Sequence, residues 1–155
     1  MVARAHQTRG NFEDYQRVKA AALAQSDDAK AVWAFSVELE KAGKLEPALA
    51  LLGAFCSRID DPLPLRRLIL LLNREKRFPE STAILETSLG IRPDDAMALG
   101  LLALVYAATQ RTAEALEMGR KAIAAGSDIG GLVELVRRLS DQTTAMQTQA
   151  IRSPS

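Results

Sequence analysis

The sequence predicts an all-α fold: a stack of antiparallel helical hairpins, about three of them complete. Three observations carry this expectation. Apolar residues recur at a near-constant step of roughly 34 residues, a spacing typical of helical repeats. Phe35, Leu68 and Leu102 show it, with Val32, Leu65 and Leu99 before them and Leu39, Leu72 and Tyr106 after. Within each copy these residues stand at i, i+3 and i+7, one stripe of an amphipathic helix. A second stripe follows a short break: Leu45, Ala48, Leu52 and Phe55, then Phe78, Ser81, Leu85 and Ser88, then Ala115, Gly119 and Ala122. The 155-residue chain is 48% hydrophobic but only 5% aromatic, and its many Ala and Leu residues lose little entropy in a helix.

Two helices of about a dozen residues joined by two or three residues must fold back on each other. The earliest copy is incomplete. Gly10-Asn11-Phe12 lies one repeat step before Gly43-Lys44-Leu45, so Asn11–Gln25 reads as a second helix. Val2–Arg9, with Val2, Ala3 and His6 on the stripe, is what remains of its first helix, and 1–28 is expected to form a partial hairpin. Complete repeats are expected at 29–61, 62–95 and 96–129.

Gly43 suits the left-handed residue that ends a first helix. Pro79 suits the first turn of a second helix, where its missing N–H is not needed. Asp60-Asp61-Pro62 and Pro93-Asp94-Asp95 separate hairpins and offer Asp N-caps. Small residues at Ala48, Ser81 and Ala115 let paired helices approach closely. Gly131–Leu139 begins a further first helix, with Val133 and Val136 expected on its inner stripe. Arg137 and Arg138 give it the polar far face of a cap at 130–140. The repeat domain is thus expected to span 1–140. Residues 141–155, DQTTAMQTQAIRSPS, hold few packing groups and are expected to be disordered.

These residues resemble the tetratricopeptide repeat family, whose unit is a helix–turn–helix of about 34 residues. Leu99, Leu102, Ala103, Tyr106, Ala115 and Ala122 match its pattern of large, small and aromatic positions, and Pro93 matches the Pro that closes a unit. The resemblance covers roughly Asn11 to Ser140. It implies a right-handed superhelical solenoid. Ile69 stands where the family prefers a small residue, Lys76 and Gln110 replace the turn Gly, and Trp33 comes one place later than the family's usual Trp. Keeping Val32 on the buried stripe sends Trp33 outward and keeps Glu40 off that stripe.

Little in the sequence points to catalysis. His6 is the single histidine and Cys56 the single cysteine, so no disulfide, no CxxC metal knuckle and no histidine cluster can form within the chain. Cys56, between Phe55 and Ser57, reads as packing. Gly126 and Gly130-Gly131 fit a helix end and a turn, not a phosphate-binding GxxxxGK[ST] loop. No catalytic residue, metal or cofactor is expected. A net charge of +1 opposes a phosphate-backbone binder, which leaves RNA binding as the weakest reading. The apolar runs at 68–72 and 99–108 fall short of the ~20 residues needed to cross a bilayer. No secretory signal stands at the start, and a cytoplasmic location is expected.

The family resemblance places the ligand surface on the exposed flanks of successive first helices. On this sequence that surface holds Lys30, Trp33 and Val37, then Leu63, Arg66, Leu70, Asn73 and Arg74, then Met97, Leu101 and Leu104. Some members clamp a carboxylate terminus with a Lys and an Asn one turn apart. The matching places here are Trp33 and Val37, Arg66 and Leu70, and Gly100 and Leu104, and none holds that pair. The expected ligand is therefore a protein or peptide segment with apolar and some acidic residues. The expected role is a non-enzymatic adaptor or chaperone-like scaffold. The alternative is an architectural or self-associating piece of a larger array, joined through the incomplete N-terminal hairpin.

Overall fold

The computed structural model describes the backbone of residues 2–152 and the side chains of residues 10–151. Among the described residues the secondary structure is helical: α1 (Val2–Ala24), α2 (Ala29–Lys41), α3 (Leu45–Cys56), α4 (Pro62–Arg74), α5 (Phe78–Ile91), α6 (Ala96–Ala108), α7 (Thr112–Ala124) and α8 (Leu132–Arg152). The chain divides into two compact units, residues 1–71 and 72–155. In the first, α2 packs on α3, and α1 packs on both. In the second, α6 lies between α5 and α7, and α7 also holds α8.

Helix starts repeat with the sequence period. Asp28 accepts a hydrogen bond from the Ala31 N–H at 3.0 Å, Asp61 from Leu63 at 2.9 Å, and Asp95 from Met97 at 3.1 Å. Each satisfies an N–H that the first turn of a helix leaves without a partner.

Helix ends repeat too. Gly43, Lys76 and Gln110 adopt φ of 76°, 59° and 65°. At each of these turns two backbone bonds close the preceding helix. Lys44, Arg77 and Arg111 donate to the carbonyls of Leu39, Leu72 and Tyr106 at 2.8 Å, while Gly43, Lys76 and Gln110 donate to those of Glu40, Asn73 and Ala107. This pair of bonds ties up carbonyls that would otherwise be orphaned. Gly126 closes α7 in the same way, with φ 88° and Ser127 bonded to the Ala122 carbonyl.

The stripes meet as their spacing requires. Val32, Phe35 and Leu39 are buried, as are Ala48, Leu52 and Phe55 on α3. On α7, Gly119 makes room for a neighbour: a Cβ there would stand 2.5 Å from Val136 Cγ2 and 3.8 Å from Ala103 Cβ. Any larger residue would push α7 away from α8.

Three expectations are corrected. The N-terminus is not a partial hairpin. α1 runs unbroken through Gly10, because Val2–Arg9 offers too few apolar groups to offset a turn, whereas each residue that extends a helix adds a hydrogen bond. Residues 141–152 are helical rather than disordered, since α8 meets no Gly or Pro before Pro154 and Thr143 Oγ1 donates to the Leu139 carbonyl at 2.9 Å. The cap register is also shifted by one residue. Leu132, Leu135 and Leu139 are the buried set, while Val133 is exposed and Val136 half-buried. The leucines continue the series of Leu99, Leu102 and Tyr106, one repeat step further along the chain.

The turns give a direct stability test. A side chain in the left-handed region costs roughly 1–2 kcal/mol, partly offset by the extra freedom glycine gives the unfolded chain. Lys76→Gly and Gln110→Gly should each stabilise the fold by about 0.5–1 kcal/mol, and Gly43→Ala should destabilise it by about 1 kcal/mol. Urea denaturation of the three variants measures this. Loss of stability in both glycine variants would contradict the turn geometry.

Candidate functional site

In the first unit the site builds outward from α2. Val32 and Phe35 are buried in the core. The roughly 100° step between helical residues turns Trp33 onto the flank, where it is 39% exposed. Ser36 and Glu40 follow Trp33 at i+3 and i+7 and share that flank. Arg67, on α4, reaches all three. Its guanidinium carbon lies 5.7 Å from the centre of the Trp33 ring, its Nε donates to Ser36 Oγ at 2.6 Å, and its Nη2 pairs with the Glu40 carboxylate. Ser36 Oγ in turn donates to the Trp33 carbonyl at 2.6 Å. The guanidinium thus lies over an indole, in an orientation that favours a cation on the ring face, and its charge is answered by a carboxylate.

Leu63 and Leu70 stand one turn before and after Arg67 on α4, and both are exposed. Lys30 is exposed, Val37 half-buried and Arg66 half-buried; Arg66 also makes polar contacts of its own. The first unit therefore carries Lys30, Trp33, Val37, Leu63, Arg66 and Leu70 on α2 and α4.

The second unit holds the remaining expected residues, and they differ in character. Arg74 is exposed, with its Nε 3.7 Å from the Glu75 carboxylate. Asn73 is half-buried, and its Oδ1 is buried without a hydrogen-bond donor. Met97 and Leu104 are half-buried. Leu101 is 1% exposed and offers no surface to a ligand. It occupies the register position of Arg67 in the next repeat, and there an apolar side chain is fully enclosed.

Sequence reasoning does not single out Arg67, Ser36 and Glu40. The available signal is the i, i+3, i+7 spacing of Trp33, Ser36 and Glu40, together with a cation one repeat step beyond Trp33. It is easily passed over, because Glu40 reads first as a residue to be kept off the core.

Other polar groups are structural. Tyr106 donates its hydroxyl to Glu86 Oε1 at 3.0 Å, and the Arg111 guanidinium lies 4.1 Å from the centre of its ring. Burial, and then the bond to Glu86, raise the Tyr106 pKa. Burial also pushes the Cys56 thiol up to about 12, helped by Asp61 and Asp60. Among the described residues no group of His, Cys, Asp and Glu is arranged to hold a metal ion, and no helix is long and apolar enough to cross a membrane. In the first unit a cavity of about 430 Å³ opens between α1 and α3, bordered by Glu13, Arg17 and Lys44 and floored by Ala20, Pro47 and Leu51.

No family model matches the sequence, and no curated protein is similar to it. Solved structures are similar in fold. One titled "MamA RS-1 ArsTM double mutant" aligns with a TM-score of 0.62 at 18% identity, over 96% of this chain and 85% of that one. "Crystal structure of MamA" aligns at 0.63 and 15% identity, over 98% and 90%. "MamA 41-end from Desulfovibrio magneticus RS-1" aligns at 0.55 and 17% identity, over 99% and 94%. At these identities the likeness speaks for the fold, an all-α array of the tetratricopeptide type.

Removing the arginine tests the cluster around Trp33. Arg67→Met removes the guanidinium shared by Glu40 and Ser36 and should cost about 1–3 kcal/mol, with a shift in the emission of Trp33, the chain's one tryptophan. Denaturation followed at that emission measures both, and an unaltered midpoint and spectrum would contradict the clamp. At pH 8 the folded Cys56 thiol, held far above the range of a free cysteine, should react with iodoacetamide at least about tenfold more slowly than in the urea-unfolded chain.

Proposed function

We propose that the chain is a non-enzymatic protein-binding module, an adaptor or chaperone-like scaffold working in the cytoplasm. In this reading its first-helix flanks take up an apolar segment of a partner protein. The observation that carries it is Trp33, a half-exposed indole held in place by Arg67 and accompanied on α4 by exposed Leu63 and Leu70. A large, rigid aromatic group in such a setting loses little entropy on binding and commonly anchors an interface. The likeness to solved structures supports the helical fold on which this reading is built.

The partner's chemistry is weighted toward apolar groups. Glu40 already answers Arg67 and Glu75 lies beside Arg74, so the cationic character is smaller than a count of arginines implies. Arg66 already makes polar contacts of its own, so acidic residues flanking an apolar core would be favoured chiefly by the exposed Lys30. In the second unit, taken by itself, Met97 and Leu104 are half-buried on α6, and the enclosed Leu101 offers no surface.

A second reading, self-association through α1, is favoured by one observation. Phe12, Tyr15 and Val18 stand exposed along that helix.

The groove reading is tested with peptides selected from a random display library on the full chain. Binding should change Trp33 emission, and Trp33→Ala combined with Arg66→Glu should weaken it more than about tenfold while leaving the unfolding midpoint near that of the parent. Selected peptides that bind both proteins equally well would place the site elsewhere.

A further inference from the structure

The cavity between α1 and α3 is lined by a polar group that the fold itself does not satisfy. Glu13, Gln16, Arg17 and Ala20 stand at i, i+3, i+4 and i+7 on α1, so one face of that helix supplies them all. Lys44, at the start of α3, and Pro47 and Leu51 along it line the other side. All belong to the first unit. The helices meet here through small side chains, Ala20 and Ala21 against Pro47 and Ala50, which leave about 430 Å³ open between them. That volume falls within the roughly 300–1,000 Å³ of small-molecule sites.

Gln16 is 6% exposed, and its Oε1 is buried without a hydrogen-bond donor. Buried amide oxygens nearly always have a donor, because a bare one has given up its bond to water for nothing. The packing does not call for an amide at this place. One, two and three repeat steps later the same position is Leu49 on α3, Thr82 on α5 and Leu116 on α7, and both leucines are buried. An apolar side chain suits the position, yet α1 puts a carboxamide there, on the wall of an otherwise apolar hollow. Charged groups border the opening. The Lys44 ammonium stands 3.8 Å from Glu13 Oε1, too far for a hydrogen bond, and a lysine has three N–H donors to give. Arg17 is bonded to Asp14 at 2.8 Å in a pair whose side chains are both mostly exposed, and such pairs are weak.

From this we propose that the cavity binds a small carboxylic acid with an apolar body and one N–H or O–H donor. The body packs on Ala20, Pro47 and Leu51. The donor bonds to the Gln16 amide oxygen, which rotation of the terminal amide turns toward the ligand. The carboxylate stays at the mouth beside Lys44 and Arg17, taking the place of the exposed Glu13 carboxylate at Lys44. Each part of the ligand answers one observation: the apolar hollow, the acceptor without a donor, and the loosely held ammonium. The site is independent of the Trp33 flank, which is built from α2 and α4.

Calorimetric titration of the full chain with three probes tests it. Indoleacetate has the body, the donor and the carboxylate; naphthaleneacetate lacks the donor; tryptamine carries a cation in place of the carboxylate. Indoleacetate should bind with a Kd at or below about 1 mM, at least about fivefold tighter than naphthaleneacetate and about tenfold tighter than tryptamine. Gln16→Leu, which installs the residue that α3 and α7 carry at this position, should keep or raise the unfolding midpoint and abolish the preference for indoleacetate over naphthaleneacetate. Lys44→Met should weaken both acids at least about threefold and leave that preference intact. In solution NMR the Gln16 side-chain amide signals should shift as indoleacetate saturates the chain. No saturable binding of indoleacetate up to about 10 mM, tryptamine bound as tightly as the acid, or a donor preference that survives Gln16→Leu would each overturn the proposal.

Discussion

The structure depends on one backbone device, the left-handed residue that closes a first helix. At Gly43, Lys76 and Gln110 the same two amide–carbonyl bonds form, and each reverses the chain after a helix of the same length. Reversal is what brings an apolar stripe on one helix against the stripe on the next. Where the device is missing, the result differs. Gly10 and Thr143 occupy the equivalent positions at the two ends, one repeat step before Gly43 and one after Gln110, and both sit inside continuous helices. Neither end helix turns back on itself, and α1 is left with an uncovered face.

Energetically the buried stripes outweigh the surface charges. Pairs such as Lys121–Glu117 and Arg137–Glu134 are more than half exposed and contribute about 0.3–0.5 kcal/mol each, less than one buried leucine. Arg67 is the exception, because its side chain is 16% exposed and its partner Glu40 25%. Its enclosure means that the arrangement around Trp33 is held by polar bonds as well as by packing. Such support keeps an exposed aromatic in one orientation, and a preorganised anchor loses less entropy when a ligand arrives.

Most of the fold was legible in the sequence because its signals were redundant. The period, the Asp caps at Asp61 and Asp95, and the Gly43 turn all indicate the same boundaries. The ends were less legible. A lone Gly10 looks like a turn, yet glycine alone costs a helix only about 1 kcal/mol, and nothing in a single sequence weighs that against the small area Val2–Arg9 could bury. The cap register is ambiguous because Val133 and Val136 are as apolar as Leu132 and Leu135. Only the step from Leu99 and Leu102 separates the two choices. For the candidate site, periodicity turned Trp33 outward but could not show that Arg67 would cross to it, since contact between neighbouring first helices depends on their packing angle. Leu101 shows the same limit from the other side: a flank position is open or closed according to its neighbour.

The fold is decided at the places where the chain turns. A positive φ brings a residue's own amide proton close to its Hα, so solution NMR reads the turns directly from the intraresidue cross-peaks. Strong cross-peaks at Lys76 and Gln110, with helical sequential cross-peaks through Gly10 and Thr143, are the predicted result. Helical signals at Lys76 or Gln110, or a turn at Gly10, would contradict it.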